Sequence, residues 1–146
     1  MIKVVFVCTG NICRSPMAEG IFKSLLRSRG ISDVETDSAG TGAFTGLPAS
    51  EHAVTAASEL GADISGHRSK RVNQYLLDES DIIFCMTKEH AKIASDFVDR
   101  KKVFILRGGV PDPYGGNLDK YRACAAEIMK KLIPIADSFL TMNNDN

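Results

Sequence analysis

The chain carries no net charge, because 18 lysines and arginines balance 18 aspartates and glutamates. That balance leaves no global electrostatic case for binding nucleic acid or an anionic membrane, so any affinity for an anion must come from a local site. Also missing is an apolar run approaching the ~18 residues a membrane span needs. The apolar start, Ile2 to Val7, is too brief for a secretory signal core and runs directly into polar Thr9-Gly10-Asn11. Cysteines are few: Cys8, Cys13, Cys85 and Cys124 among 146 residues do not form the dense pattern of a disulfide framework. Repeats and low-complexity stretches are absent as well. The expectation is a cytoplasmic protein with reduced thiols, a monomer by default. It should form one domain over 1–146, frayed only in the polar tail 143–146.

What is present is an alternation of two periodicities. Ile2 to Val7 is a β-branched and aromatic run that reads as a buried strand. After Pro16, residues Met17, Ala18, Ile21, Phe22, Leu25 and Leu26 recur at helical spacing until Gly30 stops them. Val34 to Asp37 suits a second strand, and Ser50 can cap a helix carrying Ala53, Val54, Ala57 and Leu60. Ile82 to Met86 reads as a third strand, followed by a helix from about Lys88 to Phe97 and a fourth strand from Lys102 to Leu106. A loop rich in glycine and proline spans Gly108 to Gly116. The last helix runs from about Leu118 towards Leu140, and Pro134 should kink or split it. The pattern predicts an α/β fold: a four-stranded parallel sheet, doubly wound, with helices on both faces. Ligands of such folds sit beyond the carboxyl ends of the strands, which directs attention to the loop after the first strand.

That loop reads Cys8-Thr9-Gly10-Asn11-Ile12-Cys13-Arg14-Ser15-Pro16. A phosphate dianion needs many inward-facing donors, and a tight loop entering a helix aims its backbone N–H groups at one point. Gly10 and Asn11 are suited to the left-handed conformations such a nest requires. Pro16 sits where a first-turn proline loses no hydrogen bond. Arg14 supplies a planar fork that can grip two phosphate oxygens. The same field should lower the thiol of Cys8 and make it a nucleophile. Ser15 could add a hydroxyl hydrogen bond to the sulfur.

Zinc is a poor alternative, since Cys8 and Cys13 lack a second ligand pair and His52, His67 and His90 are not spaced as one. Gly40-Thr41-Gly42 with Gly46 misses the dinucleotide-loop spacing by one residue.

The nine residues from Cys8 to Pro16 resemble the signature of the low-molecular-weight protein tyrosine phosphatases. The separated Asp112-Pro113-Tyr114 is similar to that family's general-acid loop. Asp37-Ser38-Ala39-Gly40, Gly66-His67-Arg68-Ser69 and Asp81-Ile82-Ile83 fall in the family's order, so the resemblance covers essentially the whole chain. It implies a phosphorylated protein as substrate and no cofactor or metal. Cys8 would be the nucleophile, Arg14 the phosphate clamp and Asp112 the general acid, with Thr9 to Ser15 (Thr9, Gly10, Asn11, Ile12, Cys13, Arg14 and Ser15) binding the phosphate. Asn11, Ser15, Ser38 and His67 would form a supporting network, although His67 alone could equally be a packing histidine. Cys13 would be a redox partner able to form a reversible disulfide with Cys8, with plain packing as the other reading. Ile12, Phe44 and Tyr114 would line the substrate cleft. Asp81 is the nearest rival acid, but the start of a strand is the wrong end of the sheet.

The resemblance leaves the phosphate acceptor open. Tyr114-Gly115-Gly116 and Met86-Thr87-Lys88-Glu89-His90 are closer to a bacterial branch that includes protein-arginine phosphatases. The arginine-selective members usually carry threonine where this chain has Ile12. Isoleucine offers bulk beside a flat ring, which favours phosphotyrosine over phosphoarginine. Arsenate reductases share the loop but relay electrons through further cysteines after the third strand, where Thr87 to Val98 has none. A phosphoprotein-binding module would need neither Cys8 nor Asp112.

Overall fold

The computed structural model describes residues 1–144, with side chains described through Thr141. Of the tail 143–146 expected to fray, residues 143–144 end the last helix, and residues 145–146 lie outside the described residues.

Four parallel strands form the sheet: β1 (Ile2–Cys8), β2 (Val34–Gly40), β3 (Ile82–Cys85) and β4 (Val103–Ile105), in the order β2-β1-β3-β4. Successive residues of β1 face opposite sides, as the period of two requires. Val4, Phe6 and Cys8 enter one core with helices α1 (Arg14–Ser28), α2 (Glu51–Glu59) and α5 (Leu118–Asn144). Val5 and Val7 enter the other core, beneath α3 (Gln74–Asp78) and α4 (Lys88–Ala94). The doubly wound architecture follows from this alternation. Phe6 packs edge-on to Phe22 at 5.6 Å and stacks with Phe84 at 5.8 Å, tying one face of β1 to α1 and to the neighbouring β3.

Local signals fix most element ends. Gly30, at φ 69°, closes α1 with Gly30 N–H to Arg27 O (3.1 Å) and Ile31 N–H to Leu26 O (3.0 Å), a Schellman pair. Ser50 caps α2 by accepting from Ala53 N–H. Strand β2 reaches three residues beyond the expected Asp37, because its last turn pairs with Cys8 of β1.

Two features depart from expectation. Of the kink or split expected at Pro134, the split does not occur: α5 is one continuous helix. Pro134 faces solvent, where the carbonyl it frees can be hydrated, while Ile128, Leu132, Ala136 and Phe139 are buried on the opposite side. Burying three large side chains at about 2 kcal/mol each outweighs the ~3 kcal/mol cost of an internal proline. The short helix α3 was not anticipated; Asn73 caps it by accepting from Leu76 N–H (2.9 Å), and Leu76 and Leu77 bury its inner face. Among the described residues no helix is long and apolar enough to cross a membrane.

Candidate active site

Cys8 leaves the sheet at the carboxyl end of β1, between β2 and β3, where the strand order reverses direction. The following loop turns through Asn11, the only non-glycine with positive φ (56°) among the described residues, and enters α1 at Arg14. Gly40, at the end of β2, leans against this turn. A Cβ there would lie 2.3 Å from the Thr9 carbonyl oxygen, 2.8 Å from the Ala43 side chain and 3.0 Å from the Asn11 nitrogen.

A directed hydrogen-bond chain supports the loop. Asn11 Nδ2 donates to Ser15 Oγ (2.8 Å) and to Ser38 Oγ (3.0 Å), while Asn11 Oδ1 accepts from Lys70 N–H (3.0 Å). Ser38 Oγ donates onward to Glu19 Oε1 (2.7 Å). The Ser15 hydroxyl, which accepts from Asn11, lies 2.8 Å from Cys8 Sγ and is the donor of that pair when the sulfur is a thiolate. His67 Nε2 lies 2.7 Å from the Asn11 carbonyl, which can only accept, so this nitrogen carries the proton. Glu19 escaped the sequence reading, because a glutamate in the first turns of a helix has many unremarkable uses.

Cys8 is 2% exposed. Burial pushes its thiol up, opposed by the Ser15 hydroxyl, by the Ser15 and Asn11 backbone N–H groups and by Arg14. The sequence led us to expect a lowered thiol. The four lowering contacts are present, yet burial at the floor of the site takes the larger share. Cys85 and Cys124 are also buried, and each is pushed up to about 12. Cys13 lines the same cavity as Cys8, with its Sγ 3.3 Å from Tyr121 Oη and 3.5 Å from Ser50 Oγ.

Arg14 is buried and bridges two segments. Nη1 donates to the Val110 carbonyl (3.0 Å), and Nη2 lies 3.6 Å from Asp112 Oδ2. Asp112 is half exposed and accepts the Tyr114 N–H at Oδ1 (3.1 Å). Cys8, Thr9, Ile12, Arg14 and Asp112 thus meet in one cavity of about 350 Å³ whose outer walls are Phe44, Leu47 and Tyr114. Leu47 was not foreseen. A second cleft, of about 470 Å³, lies between α1 and residues 61–67 and is lined by no cysteine. Asp81 sits at the opposite end of the sheet, accepting the Lys3 N–H at 2.7 Å.

His90 is a further unforeseen neighbour. Its ring nitrogens lie 2.8 Å from Thr9 Oγ1 and 3.0 Å from Thr87 Oγ1. Burial, helped by Arg14, pushes its pKa down to about 4.

The model of the low molecular weight phosphotyrosine protein phosphatases matches residues 3–143. The chain belongs to that family. Among its phosphatase relatives is a protein-arginine-phosphatase of Bacillus subtilis, 39% identical and covering 91% of this chain and 93% of its own. A low molecular weight protein-tyrosine-phosphatase of Streptomyces coelicolor is 36% identical, with 84% of each chain covered. The solved YwlE arginine phosphatase, a cysteine-to-serine mutant with a phosphorylated active site serine, superposes with a TM-score of 0.88 at 34% identity. That likeness covers 94% of this chain and 95% of the other. The family fold therefore extends over essentially the whole phosphatase chain described above.

Proposed function

We propose that this phosphatase hydrolyses phosphotyrosine in proteins through a cysteinyl-phosphate on Cys8. The observation that carries the reading is the cavity itself: a sulfur at its floor, a buried guanidinium and a carboxylate beside it, and walls of Ile12, Phe44, Leu47 and Tyr114. Apolar and aromatic walls suit a flat ring.

In the first step Cys8 Sγ attacks phosphorus, an S–P bond forms, and the bond to the tyrosine oxygen breaks. Asp112 gives its proton to that leaving oxygen. Water then attacks phosphorus, its proton passes to Asp112, and the S–P bond breaks to release inorganic phosphate. Arg14 and the N–H groups from Thr9 to Ser15 hold the equatorial oxygens throughout. The sulfur must attack as a thiolate. Four contacts favour that form against burial, and the positive end of the α1 dipole, which begins at Arg14, adds to them. The phosphorylated serine of the mutant YwlE structure supports a covalent intermediate at this position.

Phosphoarginine is the second reading, favoured by the arginine phosphatases among the relatives. An arsenate reductase relay has less support, since Cys85 faces the core beneath α3 and α4. Turnover of p-nitrophenyl phosphate, a phosphotyrosine peptide and a phosphoarginine peptide decides among these. Preference for the arginine peptide replaces our substrate assignment, and tight binding without turnover replaces catalysis. Inactivation by iodoacetate across pH 5–10 tests the thiolate. With the α1 dipole added to the four lowering contacts against burial, a midpoint below neutrality is expected, whereas one above about 9, the direction in which burial pushes the thiol, ends the thiolate mechanism.

A further inference from the structure

The wall formed by Phe44 and Leu47 belongs to a segment with no helix or strand of its own. Phe44 is 77% exposed and Leu47 43%. Such a segment keeps a defined position only if something outside it supplies hydrogen bonds. Here one residue supplies four. The Ser69 N–H donates to the Leu47 carbonyl (2.7 Å), and its own carbonyl accepts from Gly46 N–H (2.7 Å). Its hydroxyl accepts from Leu47 N–H (2.9 Å) and donates to the Phe44 carbonyl. Ser69 is 1% exposed and does not itself line the cavity. All of its hydrogen-bonding groups are therefore committed to the wall and none to the reacting centre.

Its neighbours face the other way. His67 and Lys70 both bond Asn11, the pivot of the phosphate loop. The stretch from His67 to Lys70 thus acts as a strap, tied to the phosphate loop at its ends and to the cleft wall between them.

We propose that Ser69 is a positioning residue for substrate binding, fixing Phe44 to Leu47 as the apolar wall against which the ring of a phosphorylated aromatic side chain rests. The inference builds on the phosphotyrosine reading and assigns part of its specificity to a residue the substrate never touches. Losing the hydroxyl should loosen the wall while leaving Cys8, Arg14 and Asp112 in place. Substrate binding should weaken and the chemical steps should not.

The chain has no tryptophan, so Phe44→Trp places a single fluorophore on the wall. In that background Ser69→Ala should lower the fluorescence anisotropy of the indole through faster nanosecond motion. It should also raise KM for a phosphotyrosine peptide on the order of fivefold, the equivalent of one neutral hydrogen bond, with kcat changing by less than about twofold. Ser69→Thr, which keeps the hydroxyl, should restore both. If Ser69→Ala does not fold, Ser69→Cys replaces the hydroxyl with a near-isosteric weak donor and is read the same way. Unchanged anisotropy overturns the proposal, as does unchanged KM or a fall in kcat alone. Absence of turnover in the unsubstituted protein would count against the phosphatase reading instead, and the anisotropy comparison would still judge Ser69.

Discussion

The two sides of the cavity are built on opposite principles. The floor, built from Cys8, Asn11, Cys13, Arg14 and Ser15, is buried, and its polar side chains are held by named partners: Asn11 by Ser15, Ser38 and Lys70, and Arg14 by Val110. The rim, made of Phe44, Leu47, Asp112 and Tyr114, is exposed or half exposed and lies on loops. Phosphate is the same in every substrate, so its cradle can be rigid. The group that carries the phosphate differs from one protein class to another, and the rim is where such differences can be accommodated without disturbing the floor.

If that division holds, floor substitutions should abolish chemistry or stability and rim substitutions should change rates or preferences by smaller factors. Cys8→Ser should reduce p-nitrophenyl phosphate turnover by more than about 10⁴-fold; residual activity near that of the parent would break the comparison at its base. Asp112→Asn should lower kcat by about 10²–10⁴-fold. The loss should be greater for a phosphotyrosine peptide than for p-nitrophenyl phosphate, whose leaving group needs less protonation. Equal losses on both would remove Asp112 as the acid.

Asn11→Gly permits the positive φ but deletes the amide that joins Ser15, Ser38 and Lys70. Stability should fall by about 2–4 kcal/mol, read from urea unfolding midpoints. The pH dependence of stability probes the same buried zone. His90 has a folded pKa pushed down to about 4, so the unfolded chain binds its proton first as pH falls. Its contribution is complete above about pH 6.5 and is lost as pH drops towards 4, on the order of 2–3 kcal/mol between pH 7.5 and 4.5. His90→Gln should flatten that slope; an unchanged slope would show the histidine is not held neutral. The smallest effect belongs to the half-buried cavity wall: Ile12→Thr should move the ratio of phosphoarginine to phosphotyrosine turnover by about tenfold towards arginine. No movement would place the choice of substrate elsewhere, with Phe44, Leu47 and Tyr114 next in line.

Most of the fold was legible because its signals are local. The run Ile2 to Val7, the stop at Gly30 and the cap at Ser50 each act within a few residues, and each appears as the sequence predicts. The phosphate loop was legible for the same reason, since nucleophile, pivot and guanidinium lie within seven consecutive positions. What escaped is what depends on distant partners. Pro134 reads as a break until the buried side chains around it are known. Glu19 and His90 gain meaning only through Ser38 and Thr9, which the topology brings to them. The direction of the Cys8 shift is the sharpest case. The lowering contacts could be read from the loop, but burial is a sum over the whole surrounding fold.

Gly40 carries no functional group, yet the shape of the catalytic centre depends on the atom it lacks. Because even a methyl group there would collide with the Thr9 carbonyl, the nineteen alternatives all force the turn outwards before any hydrogen bond is lost. That position should behave as a mutational dead end as unforgiving as the nucleophile itself, enforced by volume rather than by chemistry. A library scored for turnover would find it without any knowledge of the reaction.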